Sequence, residues 1–310
     1  FLIDVYAGRS DELSFEATLT PLAKASRRHA SLTGAAAALI PPPPKPGQEK
    51  PVGIATLTGG LGTIAQVLAD AVLDGSPGAV VRTSATVSEL ARTASGWRLS
   101  VGSSADAEYI DADAVIVAVP AGPASKLLAG APGAAAGLAE IPYASTATIT
   151  FAFPRAAFPG GLADRGYNGY RVPAVDGRAV NEVTFSSVKW PHLAGDLEIV
   201  RCSAGRIGGE DVLRRDDADL AALAAAELAE ATGVAGDPVA TRVRRWDDGL
   251  PQYTVGHLDR VNRIRAAVAE QPRLAVCGAA YDGVGVGNCV TTARKAADQV
   301  LKSLTAHTTA

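Results

Sequence analysis

The sequence predicts an α/β fold in which the chain enters an α/β layer, leaves it for helices and antiparallel strands, and returns at its carboxyl end. Three observations predict this order. The stretch AVIVAVP at 114–120 is continuously apolar, as in a parallel strand covered on both faces. Residues 143–153, 181–188 and 197–204 alternate apolar and polar side chains, as antiparallel strands with one wetter face do. Residues 273–297 join a strand, a glycine-rich turn and a helix start.

The composition excludes several classes of function. Among 310 residues, 29 Lys and Arg stand against 32 Asp and Glu, and a net charge of −3 supplies no basic field for a nucleic acid. Cys202, Cys277 and Cys289 lack the spacing of metal ligands. We therefore predict reduced thiols, no metal site and a cytoplasmic protein.

The ends and the hydropathy of the chain give two further expectations. No apolar run approaches the roughly 20 residues that span a bilayer, so we expect no transmembrane segment. The chain lacks methionine and starts with FLIDVYAG, which is typical of a segment inside a fold. We therefore expect a fragment whose beginning is lost.

Helical patterns precede a proline-rich stretch. Between Ser10 and Ala38, Ser10 is placed to cap one helix and Pro21 to open a second. The prolines of residues 40–51 predict an exposed, polyproline-like loop. This composition fits a linker between domains and an insertion within one domain equally well.

Helix and strand signals alternate after this loop. From Thr56 we predict a turn and then an amphipathic helix that ends at Leu73. The alanine-rich stretch 216–232 predicts another amphipathic helix, with a packing role. Between these helices, strands are predicted around 79–90, 97–101 and 107–119, the last ended by Pro120.

One glycine motif resembles a dinucleotide fingerprint. Gly60 to Ala65 satisfies G-x-G-x-x-A, could follow a strand at 52–57 and opens a helix. If it binds a nicotinamide cofactor, Arg82 stands near the position that recognises a 2′-phosphate. The alternative is a tight, glycine-permitted turn into a helix without a ligand.

Several separated motifs carry a resemblance to one family. They are VYAGRSDELSFEATLTPL, TLTGGLGTIAQVLADAV, VTFSSVKWPH at 183–192, LPQYTVGHLDRV at 250–261 and GAAYDGVGVGNCV at 278–290. In content and in order along the chain, they resemble the motifs of the porphyrinogen-oxidising flavoenzymes of haem synthesis, which form protoporphyrin or, in Gram-positive bacteria, coproporphyrin. The match covers essentially the whole chain, and VTFSSVKWPH favours the coproporphyrinogen oxidases.

The resemblance implies a partial FAD-binding, Rossmann-like layer with an inserted α+β substrate domain. It makes the proline-rich stretch an insertion and Gly60–Ala65 an ordinary helix start. The family's amino-terminal βαβ unit, with its G-x-G-x-x-G, is not found in this chain. The implied domains are 1–55 and 126–265, which form the substrate domain, and 56–125 and 266–310, which belong to the FAD-binding domain.

The resemblance also implies the chemistry. A porphyrinogen, here coproporphyrinogen III, gives electrons to FAD in three two-electron steps, and molecular oxygen takes them from the flavin as peroxide. Because the cofactor carries the difficult step, we nominate no catalytic acid or base. Peripheral membrane contact and contact with a ferrochelatase stay open.

The family's motifs place the cofactor-binding residues by position. Val87 is expected at the adenine end, and Ala118 and Pro120 near the dinucleotide. Packing of core strands is the alternative role for Val87 and Ala118. Asn288 is expected to cap the helix that follows the turn. The residues expected beside the flavin ring and ribityl chain are Gly278, Ala279, Gly283, Val284, Gly285 and Val286.

A tetracarboxylate substrate needs cations at the rim of an apolar slot. Arg171, Lys189, His192 and Arg201 lie in the expected substrate region, although Lys189 and His192 could instead be surface residues. Cys202 is expected either to line the slot or to pack in the core.

Three other functions stay open from the sequence. They are oxidation of protoporphyrinogen IX, an NADP-dependent reductase that uses Gly60–Ala65, and an inactive fragment that survives as a binding or folding module.

Overall fold

The structure is a computed structural model, and it forms two compact units. The first, here the sheet unit, comprises Phe1–Thr18, Glu140–His257 and Asp282–Gly285. The second, here the α/β unit, comprises Leu19–Ala139, Leu258–Tyr281 and Val286–Ala310. The roles predicted for the domains remain predictions. The structure describes residues 5–43, 45, 55–103 and 106–308. For residues 306–308 it describes the backbone alone.

The α-helices and β-strands of the described residues have the following bounds. The helices are α1 (Phe15–Thr18), α2 (Thr20–Ser26), α3 (Leu32–Ala37), α4 (Thr63–Gly75), α5 (Ala121–Leu127), α6 (Pro132–Ala139), α7 (Ser186–Lys189), α8 (Asp217–Thr232), α9 (His257–Ala269) and α10 (Val286–Thr308). The strands are β1 (Val87–Arg92), β2 (Trp97–Val101), β3 (Glu108–Ala112), β4 (Val115–Val117), β5 (Tyr143–Pro154), β6 (Gly169–Arg171), β7 (Val180–Phe185), β8 (Leu197–Ala204), β9 (Ala240–Pro251) and β10 (Leu274–Val276).

The sheet unit is built on five antiparallel strands in the order β6-β7-β8-β5-β9. In the register, Cys202 of β8 lies opposite Ile149 of β5 and Val183 of β7, so these three side chains share one face. All three are at most 1% exposed. The antiparallel strands predicted at 143–153 and 197–204 are therefore confirmed, and the one predicted at 181–188 ends at Phe185, where α7 begins. This face holds the core.

Helix α8 covers that face, as its alanine-rich pattern predicts. Leu220, Ala224 and Leu228 recur every four residues and pack in the same core. Asp216 caps the helix by accepting a hydrogen bond from the N–H of Asp219 at 2.8 Å. Gly233 ends it in the left-handed conformation, with φ of +70°.

The α/β unit contains an antiparallel sheet and a parallel pair. Strands β1, β2 and β3 form the former in sequence order, and β4 pairs with β10 in the latter. Ala275 and Cys277 at β10 pack against Ala296 and Val300 of α10. The chain thus returns to its α/β layer at the carboxyl end, as predicted.

The expectation that 107–119 forms one strand, covered on both faces near its end, is wrong. The stretch divides into β3 and β4. Within β4, Val117 is 4% exposed while Ile116 is 38% exposed. Among the described strands β4 has only β10 as a neighbour, and Ile116 faces the apolar cleft that lies between β4, β1 and α5.

The helix predicted to begin at Ser10 is also absent. Residues 10–12 form a turn, and Leu13 bridges Thr254 in an extended conformation. The first helix starts at Phe15, after Ser14, whose Oγ accepts a hydrogen bond from the N–H of Ala17 at 3.2 Å. Burial of Leu13 at this bridge outweighs the local helical pattern.

The proline-rich loop is described only in part. Residues 41–43 are exposed and without regular structure, as predicted. Pro44 and residues 46–54 lie outside the described residues. Helix α4 follows and confirms the predicted amphipathic helix, although none of its residues is buried.

Candidate functional site

Gly278 lies one residue after the end of β10 and starts the predicted flavin turn. Its φ is +120°, a conformation that glycine adopts without strain, and a Cβ built there would meet nothing within 4 Å. Its N–H donates to Oγ1 of Thr292, a 2% exposed residue of α10, at 3.1 Å. The backbone at Gly278 is therefore held in place on one side and open on the other, next to the half-buried Ala279.

Gly283 is held by a tyrosine of the sheet unit. Its N–H donates to the Tyr253 hydroxyl at 2.7 Å, and its φ is +135°. Tyr253 is 1% exposed, lies 5.4 Å from the Tyr6 ring and stacks on His257 at 3.9 Å. Val284 packs against this aromatic cluster. Gly283 and Val284 thus have fixed positions within the sheet unit.

The last two residues of the predicted turn are more exposed. Gly285 is exposed, and Val286, which is 51% exposed, is the first residue of α10. The prediction that Asn288 caps this helix is wrong because Asn288 is its third residue. The glycines before Val286 let the backbone turn into the helix earlier than a polar cap would require.

Val87 and Ala118 line one apolar cleft of the α/β unit. The cleft measures about 530 Å³ between β1, β4 and α5, and Lys126 is the only charged residue in its described lining. Val87 is half-buried and Ala118 exposed. Pro120 stands at the start of α5, outside this lining.

Two features of the α/β unit fit parts of FAD. The cleft at Val87 is apolar and of a size that holds an adenine ring. The open side of Gly278 leaves room where a side chain would hold a flat ligand away from the backbone. The assignment of all nine predicted cofactor residues nevertheless remains a prediction.

The face of the five-stranded sheet opposite α8 carries a second cleft. It measures about 360 Å³, and its lining includes Thr148, Glu182, Arg201, Ser203 and Trp246. The register explains this set, since Ser203 lies opposite Thr148 on one side and Glu182 on the other. Arg201 therefore stands on an open, polar face, as the substrate prediction requires.

Two arginines and a tryptophan flank this open face. Arg171 lies on β6, and its Nη2 is 3.8 Å from Oε1 of Glu182. Glu182 lies on β7, the strand next to that of Arg201. Trp246 is 49% exposed, and Arg244 lies over its ring at 5.3 Å. The sequence motifs did not predict a binding role for Trp246. The alternation of TRVRRW nevertheless places Trp246 on one face with Arg242 and Arg244.

Cys202 does not line this cleft. It is 0% exposed, on the α8 side of the sheet, and burial raises the pKa of its thiol to about 12, with a smaller contribution from Glu227. The slot-lining alternative is wrong because successive residues of a strand face opposite ways. Arg201 takes the open face, and Cys202 takes the core.

Lys189 and His192 lie away from Arg201. They belong to the connection from β7 to β8, which starts after Phe185, whereas the Arg201 cleft lies toward the opposite ends of these strands. Lys189 Nζ lies 5.4 Å from the Trp190 ring centre, and His192 is exposed. The structure does not bring these two residues into the lining of that cleft.

The nicotinamide hypothesis lacks its structural context in the part of the chain that the structure describes. Residues 55–57 before Gly60 form no strand, and 52–54 lie outside that part. Arg82, the proposed 2′-phosphate ligand, donates twice to Glu108, at 3.0 and 2.6 Å. Gly60 forms only the turn that leads into α4.

Two kinds of feature are missing from the described residues. They contain no group of three or more His, Cys, Asp or Glu side chains that could hold a metal ion. None of their helices is long and apolar enough to cross a membrane.

Comparison with known families decides the family. The model of the flavin-containing amine oxidoreductases matches residues 1–301. The chain belongs to this family. The predicted resemblance to porphyrinogen-oxidising flavoenzymes is confirmed, and the flavin prediction agrees with the family's cofactor.

Curated members of this family with similar sequences are named for porphyrinogen oxidation. The coproporphyrinogen III oxidase of Mycobacterium tuberculosis H37Rv is 38% identical over 307 residues, 98% of this chain and 62% of the relative. The protoporphyrinogen oxidase of Bos taurus is 30% identical over 326 residues, 96% of this chain and 63% of the relative. The chain thus spans about three fifths of the length of these relatives.

Two solved structures have folds similar to that of this chain. A protein named provisionally as a protoporphyrinogen oxidase, from Exiguobacterium sp. 255-15, matches with a TM-score of 0.79 at 28% identity, over 97% of this chain and 62% of that one. A putrescine oxidase variant matches with a TM-score of 0.57 at 16% identity, over 79% of this chain and 53% of that one, which shows the fold alone. The predicted fold class is confirmed.

Proposed function

We propose that this chain supplies the substrate sheet and part of the FAD fold of an oxidase that converts coproporphyrinogen III to coproporphyrin III in haem synthesis, with molecular oxygen as the final acceptor. The similarity to the M. tuberculosis enzyme along 98% of this chain supports the proposal most strongly. In this proposal FAD, when bound, accepts an electron pair in each of three oxidation steps.

The α/β unit would hold the cofactor through shape and apolar contact. The cleft at Val87 and Ala118 suits an adenine ring because its lining is almost uncharged. Gly278 lets the backbone approach a flat ring, and its bond to Thr292 keeps that backbone from moving away. Such preorganised positioning is what a protein contributes when the cofactor performs the chemistry.

The sheet unit would orient the substrate by charge. Coproporphyrinogen carries carboxylates around an apolar ring, and Arg201 and Arg171 offer guanidinium groups to them from one sheet face. Trp246 offers an apolar surface beside Arg201 for the ring edge. Lys189 and His192 keep a role only for a carboxylate that reaches the far end of β7 and β8.

Oxidation of protoporphyrinogen IX is the second candidate. It is favoured by the similarity to the Bos taurus protein. Protoporphyrinogen carries fewer carboxylates than coproporphyrinogen, so the rates measured with the two substrates distinguish the two candidates. A cytoplasmic location and contacts with oxygen, a membrane surface or a ferrochelatase belong to the same proposal.

The test uses the chain and a hybrid in which it replaces the matched part of the M. tuberculosis relative. Both are supplied with FAD and either porphyrinogen in air, and porphyrin fluorescence is followed against an enzyme-free control. Faster formation of coproporphyrin than of protoporphyrin supports the proposal. A folded, flavin-containing hybrid that forms neither product overturns it.

A further inference from the structure

The open face of the five-stranded sheet carries two arginines that the substrate proposal does not use. Arg201 of β8 lies opposite Thr150 of β5, and Arg242 of β9 lies opposite the same threonine on its other side. Arg244 follows two residues along β9, opposite Thr148, and so shares this face. All three arginines are exposed. The face therefore presents cationic side chains from β8 and β9 with threonines between them.

These three arginines have no acidic partner. Among the described residues, none of Arg201, Arg242 and Arg244 forms an ion pair or donates a side-chain hydrogen bond. Arg244 lies over the Trp246 ring at 5.3 Å. A guanidinium stacked on a ring keeps its N–H groups free in its own plane. The donors of all three arginines are therefore available to a ligand.

Arg245, the next residue of β9, shows how an arginine with a structural role is bound on the same strand. It lies on the other face, where its Nε donates to Oδ1 of Asp217 at 2.9 Å and its Nη2 to the carbonyl of Arg215 at 2.7 Å. Arg242 and Arg244 form no such bonds, so they do not hold the sheet to its surroundings. Because neighbouring like charges repel one another, their clustering favours an anion at this face.

Acidic residues near this face do not neutralise the arginines of β9. Glu182, which follows a register shift of β7 at Asn181, pairs with Arg171, and β8 and β5 separate it from β9. Asp247 and Asp248 lie where the pairing of β9 with β5 is irregular, and neither forms an ion pair with a described residue. The anion that these arginines bind must therefore come from a ligand.

The spacing of the arginines indicates a large ligand with several separated charges. Neighbouring strands lie about 4.8 Å apart, so the backbones at Arg201 and Arg242 are separated by roughly 10 Å, and Arg244 lies roughly 7 Å farther along β9. Side chains at this spacing are placed to bind separate carboxylates. Trp246, which is 49% exposed, adds an apolar surface beside them. A macrocycle with carboxylates around its rim fits this arrangement.

We propose that Arg242 and Arg244 bind the carboxylates that a tetracarboxylate porphyrinogen has and a dicarboxylate one lacks, and so determine the preference for the former. This inference rests on the proposed function, in which Arg201 binds the same substrate. Protoporphyrinogen carries vinyl groups in place of two of the propionates, and a vinyl group accepts no hydrogen bond from a guanidinium. The arginines of β9 therefore add affinity for coproporphyrinogen alone.

The experiment compares two porphyrins that are stable in air, coproporphyrin III with four carboxylates and deuteroporphyrin IX with two. Each is titrated into the purified chain and into a double variant with Arg242→Gln and Arg244→Gln, and binding is followed by quenching of protein fluorescence. We expect the double variant to bind coproporphyrin III about tenfold more weakly and deuteroporphyrin IX less than about twofold more weakly. Equal losses for both porphyrins, or no loss for coproporphyrin III, overturn the inference.

Arg178→Gln is the matched control. Arg178 is an exposed arginine of the sheet unit that pairs with Glu230 and does not line the Arg201 cleft. Its variant should bind both porphyrins like the unmodified chain, and a loss equal to that of the double variant overturns the inference as a general charge effect. If circular dichroism shows that the double variant does not fold, the single variants Arg242→Gln and Arg244→Gln replace it, each with an expected loss of about threefold for coproporphyrin III.

Failure of this inference can be distinguished from failure of the proposed function. If Arg201→Gln weakens binding of coproporphyrin III and the β9 variants do not, this inference alone is overturned. If the folded, unmodified chain does not bind coproporphyrin III, the inference is also overturned. The proposed function is overturned only by a folded, flavin-containing hybrid that forms no porphyrin.

Discussion

The two faces of the five-stranded sheet are built from the same strands but differ in almost every property. On one face Ile149, Val183 and Cys202 are buried beneath α8. On the other face, Arg201 and Trp246 line an open cleft. Because each strand alternates its side chains, the buried face can fix the register while the open face stays free to carry binding residues.

The largest effect should come from emptying the buried face. Phe185 is 0% exposed, and Phe185→Ala should lower the free energy of unfolding by about 3–5 kcal/mol through lost contacts and a residual cavity. Urea denaturation followed by circular dichroism measures it. A loss below about 1 kcal/mol would show that this face is not the stabilising one.

Cys202 should be the least reactive of the cysteines while the sheet is folded. A thiol pKa of about 12 against an ordinary 9.0 leaves about a thousandfold less thiolate near neutral pH. Labelling with a thiol reagent, located by mass spectrometry, should modify the half-buried Cys289 first. Prior modification of Cys202 in folded protein would contradict the assignment to the core.

The same thiol makes stability depend on pH with a defined sign. Its pKa is higher in the folded state, so its contribution is complete below the ordinary value of 9.0 and is lost as the pH rises toward about 12. We expect Cys202→Ala to be less sensitive than the unmodified chain to alkaline unfolding in that window. Identical alkaline unfolding curves for the two proteins would refute this.

Arg201→Gln should affect binding and leave folding unchanged. Loss of one guanidinium should weaken binding of coproporphyrin III about tenfold, measured by fluorescence titration. Arg98→Gln is the matched control, since Arg98 is an exposed arginine of the α/β unit that pairs with Asp111 at 2.7 Å. An equal loss in both variants would indicate a general charge effect and no binding role for Arg201.

The smallest effect is expected for Thr150→Val on the open face. Thr150 lies opposite Arg201 and Arg242, and it is not in the buried core cluster. The free energy of unfolding should change by no more than about 0.5 kcal/mol in urea. A change as large as that of Phe185→Ala would erase the distinction between the two faces.

Pattern in the sequence predicted which residues share a face, but not which face is covered. Alternation within 197–204 puts neighbouring residues on opposite faces, yet Cys202 was nominated for the slot beside Arg201, because coverage by α8 depends on contacts between distant segments. The same limit explains the exposed Ile116 on β4, whose apolar run suggested burial on both sides.

Local irregularities of the backbone were the second reason why features of the structure were predicted wrongly or not at all. Glycines before Val286 shift the start of α10 away from Asn288, and the register shift at Asn181 leaves no mark in an alternating pattern. The family motifs located the candidate cofactor turn and the candidate substrate strands. They did not reveal the tyrosine that binds Gly283, because that contact joins residues 30 positions apart.

The hydrogen bond from Gly283 to Tyr253 has a dynamic consequence. Within Asp282–Gly285, this amide is secured by a phenol oxygen and not by a strand neighbour. Its exchange with deuterated water should therefore report how often the Tyr253 ring leaves its stack on His257, and so how often the segment detaches from the sheet unit.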